Sequence, residues 1–205
     1  MRKFAIFILS FLCFSPGALA YDCPRSVDDQ KVILFVDTND SEGEIEHAQR
    51  AACERGEVLK VVPQEGEPTK KLGNDLRSTL NELKERGASL ENVTLSGHDG
   101  GGHFGGTLGG IGKEQVREVF QDFPEYRESL ESLHLLGCYT TVPAEVFDWK
   151  EIFPNLKIVG GYEGSAPLSH RLAAKSYIED MLTKERDFIR SSRQNELQDK
   201  IEEGF

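Results

Sequence analysis

The sequence predicts an α/β fold: three layers, with a mostly parallel sheet of five or more strands and helices on both faces. Apolar segments rich in β-branched residues alternate with segments whose apolar residues recur at helical spacing, from residue 32 to residue 190. The apolar segments are continuous, which is typical of parallel strands covered on both faces. Right-handed helical crossovers between such strands would enclose one core.

The first half of the chain contains three predicted strands and two predicted helices. The strands are the apolar runs 32–37, 58–62 and 93–97. The first helix is expected from Ser41 to about Arg55, because its alanines and isoleucine share one face. The second helix carries a leucine stripe that begins at Leu72, and it is expected to end at Gly87. Between the second strand and this helix lies a polar loop, residues 64–71.

The second half begins with a glycine-rich stretch, residues 97–112, in which we expect no regular element because glycine loses much backbone entropy on ordering. The elements predicted after it are helices at 113–120 and 124–130, a strand at 133–137, a helix at 143–149, a strand at 156–161 and a long helix at 168–190. A charged tail follows that helix. The chain shows no internal repeat and no interdomain linker.

Residues 1–20 have the pattern of a secretory signal peptide. Arg2 and Lys3 precede an apolar core, and the small-residue cleavage site ends at Ala20. The apolar stretch is shorter than the roughly twenty residues that span a bilayer. We therefore expect an exported, periplasmic or extracellular protein without membrane attachment after cleavage. Its single α/β domain would span residues 21–190, followed by a charged tail at 191–205.

The composition argues against one class of partner. The chain has 35 acidic and 24 basic residues and a formal net charge of −11. Such a surface repels nucleic acid and anionic lipid, and no basic patch with interleaved aromatic residues is present. Nucleic-acid binding is therefore not expected, and the sequence leaves the oligomeric state open.

The cysteines constrain the chemistry. Removal of the signal peptide would leave Cys23, Cys53 and Cys138. An odd thiol in an oxidising compartment is either reactive or intermolecular. A disulfide between Cys23 and Cys53 would leave Cys138 free, as a nucleophile must be. The sequence leaves the two other pairings possible. Both include Cys138, and either one would argue against catalysis.

A histidine and a cysteine follow two of the predicted strands. His98 comes after the strand at 93–97 and Cys138 after the strand at 133–137. Parallel strands end at one edge of a sheet, where α/β proteins bind ligands. An imidazole beside a thiol is the minimum equipment for nucleophilic acyl transfer. The backbone amides of Gly100 and Cys138 would then hold the oxyanion, and no cofactor is required.

These two strand-end segments resemble the caspase-like cysteine peptidases, a group that includes caspases, metacaspases, legumain, gingipain, clostripain and separase. The resemblance covers residues 32–182 and implies hydrolysis of a peptide or protein substrate. It implies that Cys138 is the nucleophile and that His98 is the general base or acid. Two departures from the family pattern are Asp99, inserted after the histidine, and Gly137, where the family often has alanine.

The resemblance also implies a position for the substrate side chain. Family S1 pockets draw on the end of the first strand and on the segment after the fifth. Asp37, Glu163 and Ser165 occupy those positions here. The carboxylates would suit a lysine or arginine side chain at P1, as in clostripain-like members. In the simpler interpretation Asp37 caps a turn and Glu163 is solvated.

Three other interpretations use the same residues. Asp99 lies in a G-x-nucleophile-x-G pattern similar to the elbow of epoxide hydrolases, with His170 as the base. His98, Asp99 and His103 form a feasible metal-ligand set, but a glycine loop does not orient them. Finally, the chain can be a catalytically silent binding domain of the same fold, in which Cys138 is a buried small hydrophobe.

Overall fold

The computed structural model describes Cys23 and residues 27–63, 71–168 and 171–202, with residues 192–202 described as backbone only. The predicted signal peptide and nearly all of the predicted polar loop lie outside these residues. The strands are β1 (Asp28–Asp37), β2 (Glu57–Val62), β3 (Ser89–Ser96), β4 (His98–Asp99), β5 (His103–Gly106), β6 (Gly109–Gly112), β7 (Ser132–Leu136) and β8 (Ile158–Gly161). The helices are α1 (Glu42–Arg55), α2 (Leu72–Glu85), α3 (Lys113–Gln121), α4 (Pro124–Ser129), α5 (Pro143–Ile152) and α6 (Leu172–Glu202).

A five-stranded parallel sheet in the order β2-β1-β3-β7-β8 forms the centre of the molecule. The predicted α/β class is therefore confirmed. The strand order reverses between β1 and β3. Strand β2 lies on one side of β1, and β3, β7 and β8 follow in turn on its other side. Such a switch point opens a crevice at the carboxyl ends of the strands, which is the edge where His98 and Cys138 were expected.

Strand β1 shows why both faces of the sheet are covered. Leu34 packs into one apolar cluster with the leucines of α2 and with Phe120 of α3. Phe35, its neighbour, packs into a second cluster on the opposite face with α1 and α6. Successive strand residues point to opposite faces, so a continuous apolar run needs helices on both sides.

The glycine-rich stretch is more ordered than the sequence predicts. Strands β4, β5 and β6 form a three-stranded antiparallel sheet, so the expectation of no regular element was wrong. Phe104 and Ile111 are paired across β5 and β6, and both side chains are buried. Burial of these two side chains stabilises the hairpin and offsets the entropy cost of its glycines.

The final helix differs from its predicted bounds. It begins at Leu172 and continues to Glu202, beyond the predicted end at Arg190. The residues after Arg190 include glutamate, glutamine, lysine and arginine, which are good helix formers. Among the described residues, no helix is long and apolar enough to span a bilayer.

The predicted disulfide between Cys23 and Cys53 is present and ties the start of the domain to α1. Cys138 is a free cysteine.

Candidate functional site

The strand register brings the segments that carry His98 and Cys138 to one edge of the sheet. Ser96 of β3 pairs with Leu136 of β7, and the Gly97 N–H donates to the Leu136 carbonyl at 3.4 Å. His98 and Cys138 each follow this pair by two residues, beyond the ends of the neighbouring strands β3 and β7. His98 is exposed and Cys138 is half-buried. The two segments therefore lie side by side where the sequence placed them.

The two departures from the family pattern are in contact. A Cβ atom added to Gly137 would lie 2.7 Å from the Asp99 Cβ and 3.0 Å from the Phe104 ring. Real Cβ atoms rarely approach another heavy atom so closely, so Gly137 leaves the space that Asp99 fills. Asp99 and Gly137 are therefore packed tightly against each other.

The Asp99 carboxylate accepts hydrogen bonds within the turn that contains it. Its Oδ1 accepts hydrogen bonds from the N–H groups of Gly102 and His103, at 2.9 and 3.1 Å. Burial raises the pKa of Asp99, and these backbone donors partly oppose that effect. In the same turn, the Gly100 N–H donates to the His103 carbonyl at 3.2 Å. The Gly100 amide, predicted as an oxyanion donor, therefore already has an acceptor.

The Cys138 amide is differently placed. Within the described part of the chain, no hydrogen bond joins its N–H to another residue. Tyr139, the next residue, has a positive φ of 59° and an exposed ring. A non-glycine residue in this left-handed conformation carries backbone strain, which clusters at functional sites. The chain thus turns sharply directly after the cysteine.

A strap, defined as residues 162–167, runs beside the turn that contains Cys138. The Tyr139 N–H donates to the Gly164 carbonyl at 2.8 Å, and the Thr141 N–H donates to the Tyr162 carbonyl at 3.3 Å. The Ala166 N–H donates to the Cys138 Sγ at 3.3 Å. Backbone hydrogen bonds therefore fix the position of the strap relative to the sulfur.

The three predicted substrate-binding residues fall into two groups. Asp37 is fully buried, and its two oxygens accept the N–H groups of Asn39 and Ser41 at 3.0 and 2.7 Å. Burial raises the pKa of Asp37, and the two N–H donors oppose that effect. This geometry is that of a turn cap. Glu163 and Ser165 are exposed on the strap.

A buried carboxyl group near this edge was not predicted from the sequence. Glu44, in the first turn of α1, accepts a hydrogen bond from the Ser96 hydroxyl at the end of β3. Burial raises the pKa of Glu44 to about 7, the Ser96 hydroxyl lowers it, and the nearby Asp37 raises it further. Only its burial, which depends on where α1 packs, separates Glu44 from the other glutamates of this helix.

A lysine ties the two site segments together and was also missed. Lys113 Nζ lies 2.7 Å from a Glu145 oxygen and 2.6 Å from an Asp148 oxygen, both on α5, the helix after Cys138. Its backbone N–H donates to the Gly102 carbonyl in the hairpin after His98, at 2.8 Å. Burial lowers the pKa of Lys113, but the two carboxylates outweigh that effect and leave it raised.

The opposite edge of the sheet holds a second polar cluster. Glu185 of α6 is buried and pairs with Arg55 and with His134, whose Nε2 lies 2.6 Å from Glu185 Oε2. Ser132 and Asn92 complete the cluster. A cavity of about 540 Å³ opens beside it, lined in part by Arg55, Ser132 and Glu185. His134 is therefore a buried, hydrogen-bonded histidine of the core.

The geometry also bears on two of the other interpretations. A G-x-nucleophile-x-G elbow joins a strand to a helix, whereas β3 is followed by the β4-β5-β6 hairpin and Asp99 binds its own turn. His170, the base required there, lies outside the described residues. Across the described ranges, no three His, Cys, Asp or Glu side chains are placed to hold a metal ion.

Comparisons with known proteins add little. No family model matches the sequence, and no curated protein matches it. One similar solved structure is a fusion that contains the yeast Spc42 trimeric coiled coil. It is 14% identical, covers 87% of this chain and 95% of its own, and superposes with a TM-score of 0.36. A similarity this low carries no argument about fold or function.

Proposed function

We propose that this protein is an exported cysteine-dependent hydrolase that cleaves peptide or related amide bonds, a divergent relative of the caspase-like peptidases. One observation carries the proposal. Cys138 is a free thiol two residues beyond the end of β7, and His98 lies two residues beyond the end of the neighbouring β3, while the other two cysteines of the mature chain form a disulfide. The disulfide is consistent with an oxidising compartment. In such a compartment, a cysteine that stays unpaired is a candidate for a chemical role.

In this mechanism the Cys138 thiolate attacks the carbonyl carbon of the scissile amide, and a carbon–sulfur bond forms. The Cys138 N–H donates to the resulting oxyanion. The imidazolium of His98 gives its proton to the departing amine as the carbon–nitrogen bond breaks. Water then attacks the thioester carbonyl while His98 takes a proton from that water. The carbon–sulfur bond breaks, the carboxylic acid leaves, and the thiolate–imidazolium pair is regenerated.

Fewer residues are available to a substrate side chain than the resemblance implies. Both oxygens of Asp37 are engaged by backbone N–H groups, so this carboxylate is not available to a substrate side chain. Glu163 remains exposed on the strap beside Cys138. A lysine or arginine side chain of the substrate would therefore face Glu163. Peptides that differ only in carrying arginine or glutamine at P1 would measure this preference.

Labelling with iodoacetamide tests the dyad. Residues 21–205, produced under oxidising conditions, are labelled between pH 5 and pH 9, together with His98→Ala. The matched control is His103→Ala, which removes another exposed histidine from the same hairpin. We expect fast labelling of Cys138 at acidic pH in the wild type and the control, and its loss in His98→Ala. An ordinary alkaline thiol profile in all three proteins would overturn the proposal.

A second candidate function is binding without catalysis. The observation that favours it is the Gly100 N–H, which donates to the His103 carbonyl and so leaves the oxyanion site one predicted donor short. In that case Cys138 would react slowly in every variant, and a peptide would bind at this edge without being cleaved. Detection of peptide binding by calorimetry, with no turnover after prolonged incubation, would establish this alternative.

A further inference from the structure

The Cys138 sulfur has a neighbour that the dyad does not account for. The Ala166 N–H donates to Sγ at 3.3 Å, from a strap that arrives after β8. The hydrogen bonds from Tyr139 to Gly164 and from Thr141 to Tyr162 hold the part of the strap that precedes Ala166. The Tyr162 N–H also donates to the Thr140 hydroxyl at 3.1 Å. The donor is therefore held in place before any substrate binds.

We propose that the Ala166 N–H stabilises the Cys138 thiolate by a hydrogen bond, and that the strap positions this donor. This inference rests on the proposed function, since only a reactive cysteine needs its anionic form stabilised. A hydrogen bond to the charged form of a group favours that form. A hydrogen bond to a charged group is also stronger than one between neutral groups.

His98 and Ala166 would then have separate roles at one sulfur. The imidazole exchanges a proton, whereas a backbone N–H cannot, so Ala166 acts only by stabilising negative charge. When the thiolate attacks a carbonyl its charge moves to the substrate oxygen, and the hydrogen bond to sulfur weakens. The donor consequently raises the fraction of thiolate at acidic pH and slightly lowers the intrinsic reactivity of each thiolate.

A backbone donor is removed by proline alone among the natural residues. The test variant is Ala166→Pro, and Pro167 already follows it. Ala166→Gly keeps the N–H and controls for loss of the methyl group. Leu168→Pro places the same ring next to Pro167, at an exposed position outside the strap, and controls for stiffening of the backbone. Thermal unfolding of each variant shows whether the domain remains folded.

We expect the midpoint of the iodoacetamide pH profile to move toward alkaline pH in Ala166→Pro, with about tenfold slower labelling at acidic pH. The two controls should keep the wild-type midpoint. If Ala166→Pro is folded and labels like the wild type, the inference is overturned. If the wild type is fast at acidic pH and His98→Ala is slow, the proposed function still stands. A slow wild type overturns both.

A measurement on the unmodified chain covers the case in which Ala166→Pro does not fold. The amide resonance of Ala166 is followed by ¹⁵N NMR as the pH is raised from 5 to 9. We expect its chemical shift to titrate with the midpoint of Cys138 labelling, and we expect Cys138→Ser to abolish that titration. An Ala166 resonance that does not change while labelling shows a clear midpoint would overturn the inference.

Discussion

Two buried glutamates at opposite ends of the same sheet have opposite electrostatic environments. Glu185, at the amino-terminal edge, has Arg55 and His134 as partners. Burial by itself raises the pKa of Glu185, but these partners outweigh it and hold the pKa below its usual value. Glu44, near the carboxyl-terminal edge, has the Ser96 hydroxyl as a partner and Asp37 as a neighbour, and its pKa is raised to about 7.

The two edges differ in how their buried carboxyl groups are compensated. Around Glu185, charges of both signs are buried together, and most donors in the cluster have an acceptor. At the other edge His98 is exposed, Cys138 is half-buried, and a buried carboxyl group has no cation among its described partners. Buried ionisable groups without a compensating charge are common at functional sites. The cavity of about 540 Å³ lies at the edge that holds Glu185.

The largest expected effect is on Glu185. Replacement of Glu185 by alanine leaves the buried Arg55 without one of its carboxylate partners, which typically costs about 3–5 kcal/mol. We expect urea unfolding at pH 7 to show a loss of this size. Because the pKa of Glu185 is lowered in the folded state, its contribution is present at neutral pH and is lost as the pH falls through the folded pKa.

The control for this prediction is Glu118→Ala, which removes an exposed carboxylate from α3 and should change stability by less than about 0.5 kcal/mol. A Glu185→Ala variant no less stable than this control would contradict the structural role of the cluster.

Glu44 should show the opposite pH dependence. Its pKa is raised from 4.5 to about 7, so the folded state holds a proton that the unfolded state has released. The unfolding free energy should therefore fall as the pH rises from about 4.5 to about 7. Glu44→Gln should remove this loss and be more stable than the wild type at pH 8, by up to about 3 kcal/mol.

Chemical denaturation at pH 5 and pH 8 measures this difference. Glu46→Gln, at an exposed position of the same helix, should keep the wild-type pH dependence. An equal change in unfolding free energy between pH 5 and pH 8 for Glu44→Gln and the wild type would show that Glu44 is ionised in the folded protein at both pH values.

The smallest expected effect concerns the contact between Gly137 and Asp99. Gly137→Ala should cost about 1–3 kcal/mol by overpacking, since its methyl group would meet Asp99 and Phe104. Combined with Asp99→Gly, it should cost less than the sum of the two single changes, with a coupling above about 0.5 kcal/mol. Gly164→Ala is the control, because nothing lies within 4 Å of its added Cβ. Strict additivity of the two substitutions would mean that the contact is relieved elsewhere.

Most of the fold could be predicted from periodicity, and most bounds differ by a few residues. The glycine-rich stretch was the main failure. Its glycines argued against a regular element, but Phe104 and Ile111 lie among them, and their burial stabilises a small sheet. Two apolar residues in such a stretch are a weak signal, because their pairing depends on where the hairpin packs.

The candidate site could be predicted only in outline. The order of strands and helices places His98 and Cys138 at one edge of a parallel sheet, since every parallel strand ends at the same side. The resemblance implied substrate binding for Asp37, whereas its oxygens cap the turn after β1, as the simpler interpretation expected. The donors that engage it are backbone groups, which the sequence does not distinguish from one another.

The amino-acid sequence by itself determined the fold class and the edge at which the thiol and the imidazole emerge. It determined these because periodic burial acts locally along the chain. Only the tertiary structure decided which carboxyl groups have a cationic partner, which amides already have an acceptor and which N–H faces the sulfur. Glu185 and His134, like Ala166 and Cys138, lie far apart in sequence. Packing brings them together, and no local pattern records which partner each will meet.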